Sequence, residues 1–326
     1  MSNFLVRRSV VKGIGAYLPS KRVTNADMAE KVDTSDEWIT ERTGIKQRFF
    51  AGPDETCAFM ATAAAREALA EAGVGGAEIG AIIVATSTPD QAFPATAVHV
   101  QAALGAKAAF GFDLAAACSG YIYALSVADA MLRIGQVDYA LVIGSEVYSR
   151  IIDFSDRGTC VLFGDGAGAV LLQAEEVAAD GPGILSTHLH ADGTLADILY
   201  VDGAVGRPDK SGYLVMHGKE VFRHAVNLLS SAVNEALIAN SLTSNEIDWL
   251  VPHQANRRII DGVGKKLGVP AERVVITVDQ HANTSAASIP LALHTAVRDG
   301  RIKPGHLVLL EALGGGLTWG SSLLRM

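Results

Sequence analysis

The stretch Ala108-Ala-Phe-Gly-Phe-Asp-Leu-Ala-Ala-Ala-Cys-Ser-Gly-Tyr121 reads as a strand that runs straight into a helix. Ala108 to Leu114 is an apolar run of strand length, and a helical pattern follows over Ser119 to Ile134. Cys118 therefore falls at the N-terminus of a helix. Free backbone N–H groups and the positive end of the helix dipole favour a thiolate there, so the thiol pKa is expected to be lowered and Cys118 to be nucleophilic.

Working outward, the chain contains this arrangement twice. Ala64-Ala-Arg-Glu-Ala-Leu69 resembles Ala232-Val-Asn-Glu-Ala-Leu237 at an offset of 168, and Glu78-Ile79 resembles Glu246-Ile247 at the same offset. Asp113, Ala116, Ser119, Leu125 and Ala130 match Asp279, Ala282, Ser285, Leu291 and Ala296 at an offset of 166. Each copy runs helix, strand, helix, strand, strand-to-helix turn, helix, strand. Continuous apolar strands such as Ala81-Ile-Ile-Val-Ala85, Ala140-Leu-Val-Ile-Gly144 and Leu307-Val-Leu-Leu310 imply largely parallel sheets covered on both faces. We expect two α/β halves, residues 1–175 and 176–326, joined near the polar Glu175–Gly183 segment.

This register puts Cys118 opposite Thr284, with Asn283 as the neighbour at the start of a helix expected over Thr284 to Arg298. His253 follows the strand Trp249-Leu-Val-Pro252 and precedes a helix expected over Asn256 to Leu267. Ligands in α/β sheets gather at the carboxyl ends of strands, so Cys118, His253 and Asn283 form a constellation suited to nucleophilic chemistry. The bland roles are a core thiol, a structural histidine and a helix N-cap. His281 is read as a loop residue. Gly314-Gly-Gly316 follows a buried strand and suits an oxyanion-hole donor. Gly164-Asp-Gly-Ala-Gly168 lacks the following Lys-Ser/Thr of a phosphate loop and is expected to be a tight turn between strands.

The chain has 326 residues, a net charge of −8 and 49% apolar residues. The charge argues against a nucleic-acid binder. No apolar stretch is long enough to cross a bilayer, and Met1 to Lys12 lacks the apolar core of a secretory signal. Three cysteines without paired spacing (Cys57, Cys118, Cys160) suit a reducing cytoplasm rather than a disulfide framework or metal site. On the expected Asn256–Leu267 helix, Ile259, Ile260, Val263 and Leu267 form an apolar arc. Arg258, Lys265 and Lys266 lie outside it or at its edge, a basic face for an acidic partner on an acidic protein.

Together, Asp113-Leu-Ala-Ala-Ala-Cys-Ser-Gly120, Phe163-Gly-Asp-Gly-Ala-Gly168, Val251-Pro-His-Gln-Ala-Asn256, His281-Ala-Asn-Thr-Ser-Ala286 and Gly314-Gly-Gly-Leu-Thr-Trp-Gly-Ser321 resemble β-ketoacyl-acyl-carrier-protein synthase III of the thiolase superfamily. Arg157-Gly-Thr159 and Trp38-Ile-Thr-Glu-Arg-Thr-Gly-Ile45 do so too. The resemblance implies a duplicated thiolase-like αβαβα five-layered α/β fold and a homodimer. It implies a decarboxylative Claisen condensation of a short acyl-CoA with malonyl-acyl-carrier protein, with CoA thioester as substrate and no permanent cofactor or metal. Its catalytic residues fall on Cys118, His253, Asn283 and the Gly315 backbone N–H. Its CoA contacts fall on Trp38, Arg157, Thr34, Arg42, Gly218 and Phe222. Carrier-protein docking falls on Arg258, Lys265, Lys266 and Arg223, and the acyl-pocket gate on Phe93 and Leu313. Leu313 and Leu317 stand where the family commonly has Phe, which bears on primer size. Use of malonyl-CoA instead of the carrier-protein form is one alternative reading, and a non-catalytic acyl-CoA binder is another.

Overall fold

The computed structural model of the chain describes residues 5–203 and 206–326. Nine strands build its two main sheets: β1 (Leu5–Tyr17), β2 (Ala81–Ala85), β3 (Phe110–Leu114), β4 (Tyr139–Val147), β5 (Asp165–Ala178), β6 (Gly183–Ala191), β7 (Trp249–Pro252), β8 (Leu307–Gly314) and β9 (Thr318–Arg325). Seven helices matter for the site: α1 (Asp36–Thr43), α2 (Cys57–Ala72), α3 (Thr96–Leu104), α4 (Gly120–Arg133), α5 (Gly218–Ala239), α6 (Arg257–Leu267) and α7 (Ser288–Arg298).

The first sheet has the order β1-β5-β4-β2-β3 and the second β7-β8-β9-β6. Both are mixed, which corrects the expectation of largely parallel sheets. β2 is parallel to β3 and β4, and β7 to β8, but β5, β9 and their other partners pair antiparallel. Burial on both faces explains the apolar runs without requiring parallel strands throughout.

Alternation along the strands sorts the core into layers. Ile82, Val84, Leu141 and Ile143 face out toward α2 and α3. Ala81, Ile83, Ala140 and Val142 face inward, onto α4 and α7, as do Val308, Leu310 and Ala312 of the second sheet. Leu307, Leu309 and Leu313 face outward again, toward α5 and α6. The order is helix, sheet, helix, sheet, helix, so the five-layered αβαβα fold is present.

The internal repeat is regular in space. β2 and β7 begin at residues 81 and 249, α4 and α7 at 120 and 288, and β4 and β8 at 139 and 307, each pair 168 apart. The 166 offset read around Cys118 is therefore wrong by two. Both central helices are entered through a short turn opened by a left-handed residue, Ala117 (φ 45°) and Ser285 (φ 49°). The counterpart of Cys118 is Ala286, not Thr284. Runs of Ala and Ser on both sides conceal the slip. α7 consequently starts at Ser288 rather than Thr284.

Gly164–Gly168 is not a tight turn. From Asp165 onward it is the start of β5, where small residues let the strand lie against Pro290 and Leu291 of α7. Among the described residues no helix is long and apolar enough to cross a membrane.

Candidate active site

β3 delivers the chain to Ala117, and the turn Ala117–Ser119 presents Cys118 at the head of α4. The loop after β8 presses on this turn. A side chain at Gly314 would lie 2.7 Å from the Cys118 nitrogen and 2.8 Å from the Ala116 oxygen, so only glycine admits the approach. The Ser119 and Thr318 hydroxyls, 2.7 Å apart, hold the two segments together. Cys118 is only 5% exposed. Burial pushes its thiol up to about 12, helped by the nearby Glu146 and opposed by the Ser285 hydroxyl and the cysteine's own N–H. The expected low-pKa thiolate is thus corrected: desolvation outweighs the helix end, and the resting group is a thiol.

His253 lies just past β7, its N–H donating to the Glu311 carbonyl (2.7 Å). Burial lowers its pKa to about 3, so the ring is neutral. Its Nδ1 is 2.6 Å from the Ser288 hydroxyl at the start of α7. The Ser288 oxygen also accepts the Gln254 N–H at 3.3 Å. With the serine hydrogen directed to Nδ1, the imidazole proton sits on Nε2.

Asn283 is clamped by backbone. Its N–H donates to the Leu162 carbonyl (2.9 Å) and its carbonyl accepts from Gly164 (3.0 Å). Its side-chain oxygen accepts the Ser285 N–H (2.8 Å), so its amide NH₂ is the group left for a ligand. The N-cap-like contact thus leaves Asn283 on the lining of a cavity.

Cys118, His253 and Asn283 line one cavity of about 660 Å³. At its mouth stand Trp38 and Arg42 of α1, Gly218 and Phe222 of α5, and Arg258 of α6. Leu313 lines it as well, whereas Leu317 is wholly buried in the outer core. A second cavity of about 320 Å³ touches Cys118 from the other side, between Gly315, Tyr148 and Phe163. Gly315 N–H has no acceptor among the described residues, as an oxyanion donor requires.

Arg157, Thr34, Lys265, Lys266, Arg223 and Phe93 line neither cavity. The Arg157 and Arg42 guanidiniums stack on the Trp38 ring at 4.9 and 4.8 Å, and Arg157 also donates to the Asp33 carbonyl. Thr34 is near the same rim with an unpartnered hydroxyl. Asn256 caps α6, accepting from Ile259 at 3.0 Å, so the helix starts at Arg257. Ile259, Ile260, Val263 and Leu267 are buried as expected, leaving Arg258, Lys265 and Lys266 exposed. Lys266 donates to Asn227 of α5, and Arg223 is exposed nearby on α5. Phe93 is 83% exposed and reaches neither cavity within this chain, and His281 is half-buried and lines neither. Ser288, Ser285, Glu146 and Tyr148 do not emerge from the sequence. The one legible signal is Glu146, a carboxylate within the otherwise apolar strand Tyr139–Val147.

Two family models match, 3-oxoacyl-[acyl-carrier-protein] synthase III over residues 112–193 and its C-terminal region over residues 237–326. The β-ketoacyl-[acyl-carrier-protein] synthase III of Acidiphilium cryptum is 64% identical over 98% of this chain and the whole of that protein. The chain belongs to the β-ketoacyl-acyl-carrier-protein synthase III family. The synthase III of Granulibacter bethesdensis is 62% identical over 98% of this chain and all of that one. Among solved structures, the synthase III of Aquifex aeolicus superposes with a TM-score of 0.93 at 47% identity, covering 98% of this chain and 100% of the other. A priming β-ketosynthase of the R1128 polyketide pathway gives 0.93 at 40% identity, covering 98% and 97%. Among the described residues no cluster of three or more His, Cys, Asp or Glu is placed to hold a metal ion.

Proposed function

We propose that the chain condenses a short acyl-CoA, acetyl-CoA in the first instance, with malonyl-acyl-carrier protein, releasing CoA and carbon dioxide and starting fatty acid synthesis. Family membership supports the reaction class. The observation that carries the assignment of residues is the convergence of Cys118, His253 and Asn283 on one channel.

The reaction divides into two steps at one sulfur. Cys118 attacks the thioester carbonyl while the Cys118 and Gly315 N–H groups hold the developing oxyanion. CoA departs through the wide cavity, its adenine placed between Trp38 and Arg157 once the arginine yields the ring. Thr34, Arg42, Gly218 and Phe222 flank that path. The carrier protein then docks on the basic side of α6, at Arg258, Lys265 and Lys266 with Arg223 beside them, and its pantetheine arm follows the same route. Loss of carbon dioxide leaves an enolate whose oxygen accepts from His253 Nε2–H and the Asn283 amide. Both donors are preset by Ser288 and Ser285, so little reorganisation is needed as charge develops. The enolate carbon attacks acyl-Cys118 and frees the sulfur.

Residues 1–175 and 176–326 act as two half-folds that share this channel. A homodimer is supported by β3, an edge strand open to pairing, and by exposed Phe93, which has no place in its own subunit. In that assembly the partner's copy of Phe93 closes the inner cavity, beside which Leu313 sets room for the primer. Three free buried thiols suit the cytoplasm.

Intact-mass measurement after mixing with acetyl-CoA tests the first step: one acetyl adduct is expected, lost in Cys118→Ser. An adduct retained in Cys118→Ser overturns the nucleophile. Offering malonyl-carrier protein and malonyl-CoA in parallel tests the second step, with a strong preference for the former expected. Equal use of both would favour the CoA-dependent reaction.

A further inference from the structure

If Nε2 of His253 carries the ring proton, the histidine cannot also accept the proton of the Cys118 thiol. A buried thiol that must become a nucleophile then needs another acceptor, and the structure holds one behind the sulfur. Glu146, wholly buried near the end of β4, accepts from the Thr88 hydroxyl (2.6 Å), the Thr86 hydroxyl (3.3 Å) and the Ser87 N–H (3.0 Å). Between it and the sulfur lies Ser285. The turn carrying Ser285 packs on both the Cys118 turn and β4, where a side chain at Gly144 would collide with the Ala286 carbonyl. Ser285 is close enough to lower the pKa values of the Cys118 thiol, the Glu146 carboxylate and the Tyr148 hydroxyl. None of these is aligned as a full hydrogen bond at rest, so this buried hydroxyl has no committed partner. It is held there by a left-handed backbone (φ 49°) uncommon for serine.

We propose that Glu146, through the Ser285 hydroxyl, takes the Cys118 proton during acylation and returns it after condensation. This rests on the condensing activity inferred above. In acylation the S–H proton passes to the Ser285 oxygen as the serine proton passes to Glu146. The sulfur lone pair forms the new C–S bond, and the CoA–sulfur bond breaks, with its electron pair leaving on CoA thiolate, which takes a proton from solvent. In condensation the malonyl carboxylate leaves as carbon dioxide, the enolate carbon bonds the acyl carbon, and the Cys118 C–S bond breaks onto sulfur. Glu146 returns its proton through Ser285, restoring thiol and carboxylate. One proton is taken up per cycle, as the decarboxylation requires.

Burial raises the Glu146 pKa to about 7, poised to exchange a proton near neutrality. The titratable groups facing it are Cys118, Tyr148 and, from α2, Cys57; all three are held neutral at that pH by burial. Asp165, across the strand pair, is bonded to Ser149 and the Ala51 N–H instead.

The test is the single-turnover rate of acetyl-Cys118 formation from acetyl-CoA between pH 5.5 and 9, followed by mass spectrometry. In the unmodified protein the rate should rise through an apparent pKa near 7. Ser285→Ala and Glu146→Gln should each slow it roughly 100-fold at pH 7 and move the rise to higher pH, with little change in the acetyl-CoA concentration for half-maximal rate. The double variant should be no slower than either single one, and Glu146→Asp should recover part of the rate. An unmodified protein that forms no acetyl adduct would overturn the underlying activity. One that does, beside Ser285→Ala with an unaltered pH profile, overturns the relay alone. Ser285→Ala removes one oxygen, so the relay stays open to refutation even if Glu146→Gln fails to fold.

Discussion

The Ser288 hydroxyl lies 2.6 Å from Nδ1 of His253, linking the first residue of α7 to a ring at the end of β7. Ser288→Ala should leave acetyl-Cys118 formation intact and lower the condensation kcat about tenfold, the effect of roughly 1.4 kcal/mol from one buried hydrogen bond. Steady-state condensation set beside single-turnover acylation checks this. An equal loss in both would mean the serine merely supports the fold.

His253→Ala and Asn283→Ala should separate the two steps in the same way but more severely. Each removes a donor to the enolate oxygen, and losses of roughly 100-fold or more in malonyl decarboxylation are expected with acylation retained. Release of labelled carbon dioxide from malonyl-carrier protein measures this. Normal release by either variant would remove that residue from the mechanism.

Arg258 stands at the mouth of the wide cavity, with its guanidinium 5.9 Å from the Phe222 ring. Arg258→Glu should raise KM for malonyl-carrier protein about tenfold or more while acyl-CoA kinetics stay close to normal. The defect should deepen less at high salt, where the docking field is screened. Matching changes for both substrates would point to a damaged channel.

Glu311 is wholly buried with Oε2 unpartnered, and burial raises its pKa to about 8. An acid whose folded pKa lies above its unfolded value near 4.5 stabilises the fold only while protonated. Its contribution is full below pH 4.5 and declines as pH rises to about 8. Glu311→Gln, neutral throughout, should therefore gain stability relative to the unmodified protein as pH rises from 5 to 8, by on the order of a few kcal/mol. Urea unfolding at both pH values checks it. A difference independent of pH would show that the acid is not titrating in this window.

Cys118 and His253 are legible as candidates because each sits where an apolar strand ends and a helix is about to begin, whereas Asn283 follows a short helical turn, Val278–His281, and is reached only through the internal repeat. The layering is not legible from alternation alone, since strands buried on both faces show none. Register fails where Ala115-Ala-Ala117 and Thr284-Ser-Ala-Ala287 offer nothing to align on. The thiol pKa escapes a sequence reading because the helix end is local, whereas the burial comes from Gly314 and Phe163, nearly 200 and 45 positions away in sequence. Ser285 and Ser288 cannot be singled out, because serine at a helix start is ordinary and only the fold reveals which hydroxyl meets which ring or thiol. Arg157 and Trp38 stand in the motifs expected to contact CoA, but only the structure finds them stacked on one another.

The 168-residue spacing that joins Ala117 to Ser285 also joins Glu146 to Gly314. A bare glycine in one half thus occupies the station that a carboxylate holds in the other. Two identical protomers could never have given one locus both characters, since any change would strike both sides alike. Joined in one chain, equivalent positions of the two halves are free to differ, so opposite flanks of a single sulfur carry different chemical groups.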